Sequence, residues 1–291
     1  MTNRKIFESS MERMLLSCAL LSILSVLFIT AFVFQQGLPI FRTVPVGAFL
    51  FGTNWQPASG SSPSYGIFSF IVGTFFVTGA ALVLGVPIGL ACGVFLAEIA
   101  TGPVARALRS VVELLAGIPS VVYGFFGAVV ISRLIRDFFG GTGYSVLAAA
   151  IILAIMIMPT VISITEVSIR SVPREYREAS LAIGATQAQT IVHVLIPSAR
   201  SGIIAGIVLG IGRAVGETMA VLMVGGNAPI MPTGLLSKVR TLTMNIVTDM
   251  GYASGTHLTA LFATSMVLFV VIMILNIAVL SISRRAIAGK A

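Results

Sequence analysis

The chain has 291 residues, of which 57% are hydrophobic and only 10% charged, against roughly a quarter charged in an ordinary soluble domain. A mean hydropathy of +1.04 excludes a soluble globule, a disordered chain, a collagen and a coiled coil, and evenly recurring apolar runs point to one polytopic membrane domain. The net charge of +8 comes from basic residues scattered between apolar runs, so it is not the clustered footprint of a nucleic-acid binder.

About 20 apolar helical residues bridge a hydrocarbon core, and six stretches predict spans: 13–35, 67–97, 111–132, 144–165, 202–224 and 258–282. The first follows Arg4, Lys5 and Arg13, exceeds the apolar core of a signal peptide and lacks an obvious cleavage site, so it reads as retained. Cys18 and Cys92 sit inside apolar runs, where they read as small core fillers without a disulfide or metal-ligand pattern. Residues 36–66 are rich in Pro, Gly and Ser, contain Trp55, Pro57 and Tyr65, and cannot form a core of their own.

Gly85, Gly89 and Gly93 line one face of the second span at the four-residue spacing of close helix packing. Gly202, Gly206 and Gly210, then Gly212 and Gly216, do the same in the fifth. Contact within the subunit is expected in preference to a seam between subunits. Pro87, Pro119 and Pro159 fall within spans, where a lost backbone donor can kink a helix.

Between the fourth and fifth spans, residues 171–197 form the longest polar stretch on the expected inner face and predict two short helices. Pro173 suits a first turn, Tyr176, Ala179 and Ile183 share a face, and Gly184 ends the helix. Thr186 and Gln189 form a capping box for the second helix, which Pro197 terminates.

In the fifth span, Arg213 lies near the middle and Glu217 one turn further on the same face. A central arginine costs about 2.5–3.5 kcal/mol on the insertion scale, while an aliphatic residue returns about 0.3–0.6. Ten Ile, Leu and Val residues leave this span marginal once the glutamate is added, so the charged face should meet helices or water rather than lipid. Two readings stand: an internal ion pair, or a site for an ionic solute. A guanidinium fork suits a tetrahedral oxyanion such as phosphate or sulfate, and Glu217 could orient Arg213 or accept the hydrogen of a protonated phosphate.

Residues 225–257 carry Leu236, Val239, Thr243, Ile246, Val247 and Met250 at helical spacing, which predicts an interfacial or re-entrant helix before the last span. Positively charged flanks resist translocation. Arg4, Lys5, Arg13, Arg106, Arg109, Arg170, Arg174, Arg177, Arg200, Arg284, Arg285 and Lys290 fall on one side, against Arg42, Arg133, Arg136, Lys238 and Arg240 on the other. The expectation is an all-α membrane protein with six transmembrane helices and both termini cytoplasmic. It divides into a first helix with its external segment (1–66), a five-helix core (67–283) and a basic tail (284–291).

Catalytic and nucleotide sites find no support. There is no G-x-x-x-x-G-K-[ST] loop, and the glycines of 210–216 have the wrong spacing and context for a dinucleotide fingerprint. His193 and His257 lie in or beside loops, and Glu217 has no second acid within its own span, so an intramembrane enzyme is a poor reading. No cofactor or metal is expected, and His193 reads as a surface or packing histidine.

Glu178, Ala179, Ser180, Gly184, Val194, Ile196 and Pro197 resemble the E-A-A-x-x-x-G-x9-I-x-L-P signature of bacterial ABC importer permeases, with Ser180 and Ile196 as mild departures. The resemblance implies the type I ABC importer permease fold and a coupling helix that docks on a separate ATPase. It assigns that contact to Glu178, Ala179, Ser180, Gly184 and Pro197. Residues 210–227, with 197–202, Trp55 and Pro57, 65–67, Gly73 and Thr74, and 117–124, resemble the PstC-type permease subunit of phosphate importers. That implies an inner-membrane subunit paired with a PstA-like permease, a PstB-like ATPase dimer and an external phosphate-binding protein, with Arg213 and Glu217 on the anion pathway. Permeases for sulfate or molybdate, and a phosphate-sensing regulatory membrane protein, are the rival readings.

Overall fold

The computed structural model describes residues 2–60 and 62–288, with side chains over 11–60, 62–278 and 281. Of the basic residues used for orientation, Lys290 lies outside the described residues, as do the side chains of Arg4, Lys5, Arg284 and Arg285. Among the described residues the regular structure is helical apart from one small hairpin and an isolated bridge between Gly226 and Val239. Helix α1 (Thr2–Gly37) leads through a tight turn at Leu38–Arg42 to α2 (Val46–Phe51). Strands β1 (Trp55–Gln56) and β2 (Ser64–Tyr65) then pair antiparallel, Trp55 opposite Tyr65. Next come α3 (Phe68–Glu98), α4 (Gly102–Gly117), α5 (Ser120–Phe126), α6 (Ser132–Phe139) and α7 (Val146–Arg170). A polar segment holds α8 (Arg174–Ala182), α9 (Gln187–Thr190) and the short α10 (Ile196–Ser198). Helices α11 (Arg200–Gly216), α12 (Met219–Val224), α13 (Leu242–Met250) and α14 (Gly255–Ala288) complete the chain.

Among the described residues four helices, α1, α3, α7 and α14, are each long and apolar enough to cross a bilayer, and the number rises to six if two bent helix pairs each count as one span. Helix α7 is the central element. Its Ile152, Leu153, Ile157 and Val161 are fully buried, and both glycine ladders press on it from opposite neighbours. A Cβ on Gly93 of α3 would lie 2.6 Å from the Thr165 Cβ, and one on Gly206 of α11 would lie 3.0 Å from the Ile164 Cβ. Gly85, Gly89, Gly202 and Gly210 also abut α7, which is the expected packing within the subunit. Gly212 and Gly216 differ: each faces open space.

Helix α1 leans on α14 through edge-on contacts of Phe32 with Phe262 and Phe34 with Phe269. Its side from Met11 to Phe28 is exposed. Cys18 and Cys92 are free and exposed on their helices, so they are not core fillers. Both stand on apolar surfaces of a kind that lipid or another subunit covers.

The segment 36–66 takes its core from elsewhere in the chain. Ile40, Phe49, Trp55 and Tyr65 pack with Phe70, Leu242, Ala260 and Leu261. One carboxylate organises this end. Asp249 accepts hydrogen bonds from the Trp55 indole (2.9 Å) and the Tyr252 hydroxyl (2.7 Å), lies 3.3 Å from His257 Nε2, and is 3.4 Å from Arg240. Arg240, with a side chain only 11% exposed, also donates to Asn245 at 3.1 Å and sits 5.9 Å from the Phe70 ring centre.

Several sequence expectations need correction. The third expected span, 111–132, is not one straight helix, because α4 turns by 96° into the run from Ser120 to Phe139. Pro119 has no N–H to give and forces Ile118 into extended backbone (φ −69°, ψ 128°). The carbonyl of Leu115 that would have received that bond is taken by the Tyr123 hydroxyl at 2.7 Å. By contrast, α3 and α7 run on through Pro87 and Pro159.

The fifth expected span, 202–224, is also interrupted. Helix α11 ends at Gly216, Glu217 is extended (ψ 129°), and α12 starts at Met219. In the 225–257 segment, helix begins only at Leu242, so Leu236 and Val239 precede it. Val239 instead pairs in parallel with Gly226 and packs on Gly73. Pro197 does not end the helix before it: the helix runs to Ser198 after a wide turn at Ile191–Leu195, then bends by 70° into α11. Such a wide turn just ahead of a proline is the local distortion its missing donor demands.

Candidate functional site

Two regions hold the residues singled out from the sequence. The first is the interruption between α11 and α12. Ending a helix at Gly216 frees backbone donors at the start of α12, and Glu217 meets them: its Oε1 accepts from the N–H groups of Thr218 and Ala220, both at 3.1 Å. Carboxylates favour helix N-termini because they satisfy orphan donors and face the positive end of the dipole. The Glu217 carbonyl in turn accepts from the Thr243 hydroxyl at 3.2 Å, and the Leu242 N–H donates to Thr74 Oγ1 at 3.0 Å. Helix α13 therefore folds back onto the interruption, wedged beside α3.

Arg213 lies in the last turn of α11. Because Glu217 is extended, the two do not share a helical face, and no ion pair joins them. Arg213 makes no hydrogen bond or ion pair with any described residue, although its charge is near enough to act on the phenol of Tyr123. Ala205, Leu209 and Gly216 of the same helix are exposed. The internal ion pair that the sequence allowed is absent among the described residues. What remains is a partly buried guanidinium beside an open helix face, next to a broken span whose partner break at Ile118–Pro119 packs close by. The two breaks meet where Gly124 of α5 lies against Ala220 and Met223 of α12.

The second region is the polar segment after α7. Pro173 caps α8, and Gly184 turns the chain with φ +90°, a left-handed conformation that L side chains rarely adopt. Thr186 and Gln189 form the reciprocal capping box, with the Gln189 N–H donating to Thr186 Oγ1 at 3.3 Å and the Thr186 N–H donating to Gln189 Oε1 at 2.9 Å. Glu178 and Ala179 are exposed, as are Tyr176 and Leu181, and Ile183 is 88% exposed. Ser180 faces inward instead, sharing a hydrogen bond with Thr190 at 2.9 Å that ties α8 to α9. His193 is exposed, with Nδ1 3.1 Å from the Gln189 carbonyl.

Some groups that shape these regions escaped sequence reading. Tyr123 spans the α4–α5 break. Glu166 accepts from Arg109 (2.8 Å) and Arg170 (2.9 Å), joining α4 to α7. Glu98 pairs with Arg177 of α8. The partners in the Tyr123, Arg109 and Glu98 contacts are 8, 57 and 79 residues apart respectively, so neither periodicity nor a local signature exposes the two long-range pairs. Among the described residues no cluster of His, Cys, Asp and Glu is disposed to hold a metal ion.

A helical bundle with two sharply bent helix pairs and a projecting polar segment is an architecture that a membrane permease subunit can use. The chain belongs to the family of inner membrane components of binding-protein-dependent transport systems, whose model matches residues 85–289. It is 41% identical over 255 residues to the probable ABC transporter permease protein YqgH of Bacillus subtilis, covering 87% of this chain and 82% of that one. It is 34% identical over 245 residues to the phosphate transport system permease protein PstC of Mesorhizobium japonicum, covering 77% and 74%. Among solved structures, a bacterial ABC transporter that imports alginate has a similar fold (TM-score 0.66, 15% identity, 97% of this chain and 99% of that one). The methionine transporter MetNI in an inward-facing form is also similar (TM-score 0.57, 21% identity, 76% and 94%). The chain is thus an ABC importer permease subunit of the inner membrane.

Proposed function

We propose that this subunit carries inorganic phosphate across the membrane by alternating access, with six spans and both termini in the cytoplasm. It pairs with a PstA-like permease and a PstB-like ATPase dimer, and an external phosphate-binding protein delivers the ion. The single observation that carries the reading is Arg213: a guanidinium with no hydrogen-bond or ion-pair partner among the described residues, three residues before a helix break and beside an open face. Interrupted helices at membrane depth are where transporters place ionic solutes, and an intramembrane arginine implies a polar pathway or a partner. The identity of 34% to a phosphate permease favours phosphate among oxyanions.

In this scheme Arg213 lowers the barrier to an anion passing between two permease subunits, and Glu217 fixes the break that exposes it. The exposed side of α8, with Glu178, Ala179 and Ile183, docks on the ATPase. Gly184, Ser180 and Pro197 shape the segment so that ATP-driven closure rocks the helices. Its domain plan is a leading helix with an external cap (1–66), a transport core (67–283) and a basic tail (284–291). The test is uptake of labelled phosphate by the complex reconstituted in vesicles with its binding protein, with sulfate and molybdate as competitors. Binding-protein-dependent uptake that phosphate alone suppresses is expected, and suppression by sulfate instead would overturn the assignment.

A further inference from the structure

The inner end of α3 is bonded to a segment far from it in sequence. Glu98, the last residue of α3, has a side chain only 3% exposed and pairs with Arg177 of α8. Its backbone carbonyl accepts from Gln187 Nε2 of α9 at 3.4 Å. Both arms of the 171–197 segment therefore meet at one residue, and the Ser180–Thr190 bond holds the arms to each other. Two residues earlier, the Leu96 carbonyl accepts from Arg170 of α7 at 2.8 Å.

A carboxylate at a helix C-terminus opposes the helix dipole, and one this buried is costly to leave unpaired. Propensity does not explain Glu98; its partner does. Further along α3, the Gly85, Gly89 and Gly93 face lies against the α7 backbone and side chains. The contact is too close for the two helices to slide freely, so a push on the end of α3 is delivered along a stiff pair.

We propose that Glu98 is a positioning residue that carries displacement of the coupling segment into α3. The segment then has a third output beside α7 and α11, the two helices it joins through the chain. This rests on the reading of residues 171–197 as the ATPase contact. The pair acts as a strut: Arg177 moves with α8, and Glu98 makes α3 follow.

The test uses the complete complex in vesicles, comparing phosphate imported with ATP hydrolysed. Glu98→Gln is expected to lower that ratio at least about fivefold, the low end of coupling between sites, while ATP hydrolysis persists. Arg177→Gln, at an arginine that is 44% exposed, should reproduce the loss, and Arg177→Lys should retain most of the ratio. An unchanged ratio in either Gln variant of the assembled complex overturns the proposal; if Glu98→Gln fails to assemble, Arg177→Gln decides. A second measurement is independent of the cargo. Spin labels at Glu175→Cys and Val83→Cys, in a background without Cys18 and Cys92, should keep one separation with and without trapped nucleotide in the otherwise unaltered protein, and lose that constancy in Glu98→Gln. A separation that already varies with Glu98 in place overturns the strut. A complex that imports no phosphate refutes the cargo assignment alone, because the label distances still report on α3.

Discussion

The Tyr123 hydroxyl donates to the Leu115 carbonyl at 2.7 Å, closing from the side chain the backbone bond that Pro119 cannot make. The same carbonyl has a weaker donor in the Ile118 N–H at 3.4 Å, so removing the hydroxyl does not orphan it completely. Tyr123→Phe should lower the stability of the detergent-solubilised subunit by about 1 kcal/mol, the net value of one hydrogen bond. Thermal unfolding of the two proteins side by side measures it, and equal midpoints would mean that water replaces the phenol.

Arg213 has no hydrogen-bond or ion-pair partner among the described residues, so Arg213→Ala should leave the subunit folded and the complex assembled while phosphate uptake falls to background. Co-purification with the ATPase checks the first part and vesicle uptake the second. Loss of assembly would mean that the guanidinium pairs across the subunit seam. Glu217 behaves differently, because its carboxylate caps α12. Glu217→Gln keeps an acceptor oxygen and should assemble normally, whereas Glu217→Ala should cost about 1 kcal/mol of stability as other lost caps do.

The contrast between those two residues shows how far the sequence could be read. The capping box at Thr186 and Gln189 and the left-handed Gly184 were legible because each is settled within a few residues. The ladders Gly85, Gly89, Gly93 and Gly202, Gly206, Gly210 were legible as close-packed faces, though not as faces of two different neighbours of one helix, whereas Gly212 and Gly216, expected to extend the second, face open space. The breaks at Ile118–Pro119 and Glu217–Thr218 were not, because a hydropathy window averages across an interruption and Glu217 scores as an interior charge wherever its backbone points. Pro119 looked no different from Pro87 and Pro159; the tyrosine four residues on, ready to take the freed carbonyl, is what sets it apart. Asp249 and Glu98 owe their roles to partners brought in by tertiary packing, beyond the reach of any local pattern.

Gly184 has φ +90° and nothing within 4 Å of where a Cβ would stand, so a substitution there reads backbone conformation rather than crowding. Gly184→Val should reduce phosphate imported per ATP hydrolysed, with Gly184→Ala intermediate, since an L residue held at positive φ costs about 1–2 kcal/mol. Parallel assays of hydrolysis and uptake report the ratio. Full coupling in the valine variant would remove this turn from the transmission path.

Tyr252 lies outside the spans, and its hydroxyl proton is shared with Asp249, which raises its pKa above the ordinary value of 10.0; burial and the Asp249 charge add to the effect. The folded state therefore holds this proton more tightly than the unfolded chain does. The stabilisation is fully present below pH 10, and it is lost as pH rises through the folded pKa. Alkaline unfolding followed by tryptophan fluorescence should show a step at the single Trp55, whose indole shares the same carboxylate, and Tyr252→Phe should abolish the step.

Gly93 and Gly212 both sit in helices, yet their surroundings predict opposite outcomes for the same substitution. A Cβ on Gly93 would meet the Thr165 Cβ at 2.6 Å and the Ile162 carbonyl at 2.9 Å. The carbonyl belongs to the backbone of the central helix and cannot turn aside, so Gly93→Ala should destabilise the isolated subunit by about 1–3 kcal/mol, the usual cost of overpacking. Gly212 faces open space, and alanine there should stabilise the isolated subunit by about 0.5–1 kcal/mol through helix propensity. The two melting shifts, opposite in sign, test the packing within one chain. Uptake tests what lies beyond it: if the face beside Arg213 lines the passage or meets the second permease, Gly212→Ala should impair transport in spite of its more stable subunit. A variant both more stable and fully active would mean that this face of α11 meets only lipid.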